Sequence, residues 1–200
     1  MLTIFHAPGS RSQRIVWLAE EMGLPYELKA EQFGAPSAEF LEANPVGAFP
    51  AIRDGDVRMA ESTAIMQYLM DAHGPTPLAR KYGDDRYADY LQFLTFGEAS
   101  MGAFLNPAFM TQFMAPDDQK QNFTVEAAKT MFRNRLKSLD AQLEKGDYMA
   151  GSDFTAADIS VGYALNLGAG LGLDADYSPR VKAYHDRVKA RPAYQAAAAK

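Results

Sequence analysis

Two short stretches of this 200-residue chain hold side chains whose types and spacing suggest ligand chemistry. The first is Asn44-Pro45-Val46-Gly47-Ala48-Phe49-Pro50-Ala51-Ile52. A proline that opens a strand offers no backbone N–H to a neighbouring strand. If the bond before it is cis, a form essentially confined to X–Pro bonds, Phe49 turns its N–H and C=O outward. It then offers one donor and one acceptor to the peptide backbone of a ligand. The second stretch is Glu61-Ser62, where Ala60 ends a short apolar run and the helical spacing Ile65, Tyr68, Leu69, Ala72 begins. Backbone N–H groups at a helix start attract a carboxylate, and the Glu61 side chain beside them could hold an ammonium group. The ligand so described carries peptide bonds, a free carboxylate and an amine.

The elements that must position these groups are legible on either side. Leu2 to His6 reads as a strand, and Ser10 to Met22 as a helix with Ile15, Val16, Leu18 and Ala19 turned inward and Gly23 as its cap. Tyr26 to Glu31 reads as a second strand and Ser37 to Ala43 as a short helix. Residues 51–53 and 57–59 flank Asp54-Gly55-Asp56, a hairpin signal. A helix from Glu61 to about Ala72 follows. The order βαβ then ββα predicts an α/β sheet with helices on both faces. Gly74-Pro75-Thr76-Pro77 breaks any helix that continues, which puts a linker at about residues 76–83.

Beyond it the periodicity is helical throughout: Tyr87, Tyr90, Leu91, Leu94, then Phe132, Leu136, Leu139, Leu143. Asn106-Pro107 is expected to kink or end the first of these helices. Thr155 and Asp158 have the spacing of a capping box, with Phe154 and Ile159 as its hydrophobic staple. Loss of either capping side chain is expected to cost on the order of 1 kcal/mol. Ala196 to Lys200 reads as a frayed tail.

Composition removes several function classes. The 48% hydrophobic content suffices for one large domain or two small ones, and no apolar run approaches membrane-spanning length. Met1-Leu2-Thr3-Ile4-Phe5 lacks the features of a signal peptide. A net charge of −5 with no basic cluster argues against nucleic acid. Cysteine is absent, which rules out a disulfide or a thiolate nucleophile, and the three histidines His6, His73 and His185 lack metal-ligand spacing. A cytoplasmic protein without a metal is the simplest reading.

Pro8-Gly9-Ser10-Arg11-Ser12-Gln13-Arg14, the Asn44 to Pro50 loop and Glu61-Ser62 occur in order and in register. Together they resemble the thioredoxin-like domain of a soluble glutathione transferase of bacterial type. Thr155-Ala156-Ala157-Asp158-Ile159 and Ala190-Arg191-Pro192-Ala193-Tyr194 resemble the helical second domain of that family. The resemblance implies a thioredoxin-like glutathione-binding domain at about 1–75 and an all-helical domain at about 84–200. It also implies glutathione as co-substrate, a homodimer, and a role in detoxification.

A glutathione transferase must hold the sulfur as thiolate, since a thiol with pKa near 8.5 is mostly protonated at neutral pH. Lowering that value by about two units takes roughly 2.7 kcal/mol of preference for the anion. Many relatives use a tyrosine near the end of the first strand, where this chain has Phe5 and His6. The hydroxyls in reach are those of Ser10 and Ser12, with backbone amides as a further option. Resemblance to the serine-type branch aligns Ser10 with the catalytic serine and Arg14 with the helix arginine that follows it. By the same resemblance Ser10, Arg11, Phe49, Pro50, Glu61 and Ser62 bind glutathione. Position 48, often Lys, Arg or Gln in the family, is Ala48, which leaves Arg11, Lys29, Gln32 or solvent to meet the glycine carboxylate.

The hydrophobic electrophile is expected between the domains, against a segment rich in Phe96, Met101, Phe104, Phe109, Met110 and Phe113, with Tyr163 nearby. Methionines adapt to varied apolar shapes. Conjugation of the thiolate to such an electrophile is the leading reading. Its alternatives are a glutathione-dependent dehalogenase, etherase, isomerase or peroxidase, and a carrier or interaction protein that has kept only the fold.

Overall fold

Every residue of strand β1 (Leu2–His6) is buried, and the first part of the chain is organised around it. The computed structural model describes residues 1–200. It divides them into two units, Met1–Ala79 with Ala190–Lys200, and Arg80–Lys189.

In the first unit helix α1 (Ser12–Met22) carries the chain from β1 to strand β2 (Tyr26–Ala30), which pairs parallel to it. Such a pair needs a crossover of this kind. Helix α2 (Ala38–Ala43) is capped by the Ser37 hydroxyl, which accepts from Phe40 N–H at 3.1 Å. Strands β3 (Ala51–Asp54) and β4 (Val57–Ala60) complete an antiparallel half, with Ile4 opposite Ile52 and Ile52 opposite Met59. The strand order is β2-β1-β3-β4, and helix α3 (Ser62–Ala72) follows. This is the expected thioredoxin-like arrangement, with a helical domain after it. Gly23 caps α1 at φ 63°, a left-handed conformation that glycine adopts without strain. Helix α1 starts two residues later than predicted, because Ser10 N–H closes a turn onto Ala7 C=O at 3.1 Å.

The second unit comprises helices α4 (Tyr87–Phe96), α5 (Ala103–Met114), α6 (Phe123–Leu143), α7 (Ala156–Gly170) and α8 (Pro179–Lys189). Pro107 lies inside α5, which continues to Met114, so the expected end of a helix at this point does not occur. The interruption of α-helical bonding comes upstream, where Gly97–Gly102 is π-helical. Gly97 is obligatory there: a Cβ on it would stand 2.5 Å from the Ser160 backbone carbon. The close approach also lets Ser160 Oγ donate to Leu94 C=O at 2.7 Å. Helix α7 is buried along most of its length and opens with the predicted capping box. The Asp158 carboxylate accepts from Thr155 N–H, Met149 N–H, Thr155 Oγ1 and Tyr184 OH at 2.8, 2.8, 3.2 and 3.0 Å.

Near the C-terminus one expectation fails, that Ala196 to Lys200 fray: helix α9 runs over Pro192–Ala198, and its contacts group residues 190–200 with the first unit. Tyr194 sets its ring edge-on to Trp17 of α1 at 4.9 Å, and Arg191 grips Glu21 through two bonds of 2.6 and 2.7 Å. Bidentate pairing and aromatic contact together hold a segment whose Ala-rich end carries little sequence signal.

Candidate active site

The turn after β1 brings together Ser10, Ser12 and His6. Ser10 Oγ lies 2.6 Å from Ser12 Oγ and accepts from Ser12 N–H at 3.2 Å. Ser12 Oγ lies 2.8 Å from His6 Nδ1 and accepts from Ala7 N–H at 3.3 Å. Ser12 is fully enclosed, whereas Ser10 keeps 6% of its surface open, with exposed Pro8 and Gly9 before it. Of the two serines, Ser10 is the less enclosed. His6 is buried, its Nε2 has no partner, and burial alone pushes its pKa below the ordinary value, so the ring is neutral at pH 7. Arg11 occupies the capping position of α1 without a side-chain capping bond.

Helix α3 opens at Glu61, whose φ of 72° is one of two positive values on non-glycine residues. Such a conformation costs about 1–3 kcal/mol and gathers at functional sites. Glu61 C=O accepts the first intrahelical bond, from Ile65 N–H at 2.8 Å, so the N–H groups of Ser62, Thr63 and Ala64 have no partner along the helix. Glu61 is exposed and Ser62 is buried. Arg14, itself wholly buried, donates from Nη1 to Ser62 Oγ at 3.1 Å. Unpaired amides with an acidic side chain beside them suit a ligand group that carries both a carboxylate and an ammonium.

The Phe49–Pro50 bond is cis, and neither Phe49 N–H nor its C=O is hydrogen-bonded within the chain. The Phe49 ring stacks on Phe40 at 4.8 Å, Phe40 stacks on Phe5 at 5.4 Å, and Phe33 meets Phe49 edge-on at 5.2 Å. Asn44 shapes the loop from below: its Nδ2 donates to Ala48 C=O at 2.7 Å and its Oδ1 accepts from Val46 N–H at 3.2 Å. The sequence marks Asn44 as the start of this loop without a role for its side chain, and marks Phe40 not at all. The Asn44 bond to an N–H two residues on is a recognised turn-forming habit of asparagine and could have been anticipated. Phe40 could not, since its stacking depends on where α2 lies.

Of the side chains considered for a glycine carboxylate, Lys29 is tied to Glu39, which Arg53 also reaches at 2.7 Å. Gln32 is exposed and bridges through its backbone to Ala35. In the helical unit Met101 and Tyr163 are core residues. Phe96 lines an apolar groove of ≈ 670 Å³ with Tyr82, Tyr87, Leu91 and Thr95. Phe104 is covered by the Arg135 guanidinium at 4.6 Å, Phe109 stacks on Phe113 at 5.9 Å, and Met110 and Phe113 are exposed. No helix is long and apolar enough to cross a membrane.

Comparison with known proteins bears on both units. Residues 4–77 match the family model for the glutathione S-transferase N-terminal domain, and residues 104–198 that for its C-terminal domain. The chain is 31% identical over 194 residues to the probable glutathione S-transferase GSTF2 of Oryza sativa subsp. japonica, covering 91% of this chain and 88% of the relative. It is 28% identical over 218 residues to glutathione S-transferase 3 of Schizosaccharomyces pombe, covering 100% and 88%. Among solved structures, a sphingomonad glutathione S-transferase complexed with glutathione superimposes with a TM-score of 0.83 at 28% identity, over 98% of this chain and 97% of that one. Identity of this extent along both units, on the same fold, leaves one assignment: the chain belongs to the glutathione S-transferase family.

Proposed function

We propose that this protein is a serine-type glutathione transferase, in which the Ser10 hydroxyl stabilises the glutathione thiolate for attack on a hydrophobic electrophile. The observation that carries the reading is the Ser10 hydroxyl itself. It belongs to the less enclosed of the two serines at the β1–α1 turn, lies 2.6 Å from Ser12 Oγ and sits next to the first turn of a helix whose dipole favours an anion. Around it, Phe49 ahead of Pro50 pairs with the cysteinyl backbone. Glu61, Ser62 and the open amides of α3 hold the γ-glutamyl group, Glu61 taking the ammonium. Arg11 or Gln32 meets the glycine carboxylate, Lys29 being tied to Glu39.

Chemically, this arrangement needs no covalent enzyme intermediate. A hydroxyl hydrogen bond to sulfur strengthens as the sulfur becomes negative, so it lowers the thiol pKa and raises the fraction of nucleophile. Binding the tripeptide at its ends fixes the sulfur and lowers the entropic barrier to encounter with the electrophile. The rest of the reading is a cytoplasmic homodimer acting in detoxification.

The test is an ultraviolet titration of glutathione bound to wild type and to Ser10→Ala. A bound-thiol pKa about two units below that of free glutathione is expected in wild type, with most of the lowering lost in the variant. Lowering that survives the substitution transfers the role to Ser12 or to backbone amides. Absence of binding at millimolar glutathione would instead favour a carrier built on the same fold.

A further inference from the structure

Ser10 can help a thiolate only if its proton points toward the sulfur, and the hydrogen bonds around it decide where that proton goes. A serine hydroxyl accepts twice and donates once. On Ser12 Oγ one lone pair is taken by Ala7 N–H, so its other lone pair and its proton are shared between His6 Nδ1 and Ser10 Oγ. On Ser10 Oγ one lone pair is taken by Ser12 N–H. Two arrangements remain, and the tautomer of His6 selects between them.

With the ring proton on Nε2, Nδ1 accepts from Ser12 and Ser12 accepts from Ser10. The Ser10 proton is then consumed inside the relay, and a buried Nε2–H is left without an acceptor. With the proton on Nδ1, His6 donates to Ser12 and Ser12 donates to Ser10. Both Ser10 lone pairs are then filled, and its proton must point out of the relay. Nε2 is left as a bare lone pair. An orphaned buried N–H is the rarer and costlier of the two defects, so the second arrangement is favoured.

We propose that His6 is a positioning residue whose Nδ1–H tautomer, acting through Ser12, aims the Ser10 hydroxyl proton at the substrate sulfur. The inference rests on the reading of Ser10 as the thiolate-stabilising group. A neutral ring suits the role. Burial lowers the pKa of His6 with no contribution from a charged neighbour, so no fixed charge competes with the direction of the relay.

Two measurements test it on the full chain. Nitrogen-15 NMR of the imidazoles is tractable with three histidines, and a His6 protonated on Nδ1 is expected; protonation on Nε2 overturns the proposal. The second is the bound-glutathione titration in His6→Leu, His6→Asn and Ser12→Ala. His6→Leu and Ser12→Ala are expected to raise the thiol pKa by about one pH unit, the worth of a weakened bond to a charged group, with glutathione affinity changed less than about threefold. His6→Asn, whose amide can donate to Ser12 as Nδ1–H does, is expected to restore the wild-type value. A thiol pKa unmoved in His6→Leu, while Ser10→Ala loses the lowering, overturns this inference and leaves the serine mechanism standing. An ordinary thiol pKa on wild type overturns both. Should His6→Leu fail to fold, Ser12→Ala breaks the same relay one residue-contact away from the strand and decides alone.

Discussion

The guanidinium of Arg14 in α1 donates to the hydroxyl of Ser62 at the start of α3 across 3.1 Å, with both side chains buried. The bond ties the helix that follows the Ser10 turn to the helix whose first amides have no partner along the chain of helical bonds. It also orients Ser62, because a hydroxyl that accepts from Arg14 has its own proton to give elsewhere. Arg14→Met removes the donor while filling similar volume. Glutathione affinity is expected to fall about tenfold, the equivalent of one hydrogen bond, which calorimetric titration would read. Affinity equal to wild type would mean that Ser62 is not held for binding.

Glu61 has a positive φ of 72° at the mouth of the same helix. Glycine lacks the Cβ that makes a positive φ costly, so Glu61→Gly relieves strain and removes the acidic group together. The expected outcome is a fold more stable by about 1 kcal/mol with glutathione affinity sharply reduced. Denaturant unfolding and calorimetry on one preparation would show both. A variant that loses stability as well as affinity refutes the strain account.

At the capping box the structure revises an expected magnitude. Asp158 does more than return a bond to Thr155, since its carboxylate also accepts from Met149 N–H and Tyr184 OH. Asp158→Ala orphans several buried donors, and a loss of about 3 kcal/mol is expected. Thr155→Ala should stay near 1 kcal/mol. Equal losses in the two variants, measured by urea denaturation, would contradict this.

Two buried groups give opposite pH slopes. Burial pushes the His185 imidazole down to about 4 from 6.5. Between those values the unfolded chain binds a proton that the folded chain refuses, so this group makes stability rise with pH. Burial lifts Asp158 to about 6 from 3.8, so the folded chain keeps a proton the unfolded one has lost. That contribution is fully present below about pH 4 and is lost as pH rises through 6. Across pH 4 to 7, the stability of wild type relative to His185→Gln should grow with pH, and relative to Asp158→Asn should shrink. Each difference should span at most about 3 kcal/mol, and a slope of the wrong sign in either series refutes the assignment.

Tyr194 anchors α9 to Trp17. Tyr194→Ala is expected to destabilise the protein by about 3 kcal/mol through lost burial and the lost ring contact. A thermal midpoint unchanged from wild type would mean that the last helix is dispensable.

Local chemistry made much of this protein legible in one dimension. Alternation and helical spacing gave the βαβ and ββα elements, Gly23 and Thr155 marked a helix end and a helix start, and the absence of cysteine excluded thiol catalysis. Each of these depends on a residue and its near neighbours. The Ser10, Ser12 and Arg14 spacing, the Phe49-Pro50 pair and Glu61-Ser62 could be picked out for the same reason. What only the tertiary structure decided involves partners far apart in the chain or the direction of a bond: Arg14 meets Ser62 forty-eight residues away, and Arg191 meets Glu21 across one hundred and seventy. Lys29 is taken by Glu39, and His6 rather than solvent lies behind Ser12. Periodicity reports which face of an element is buried, but the identity of the atom waiting on the other side is set by how the elements close on one another.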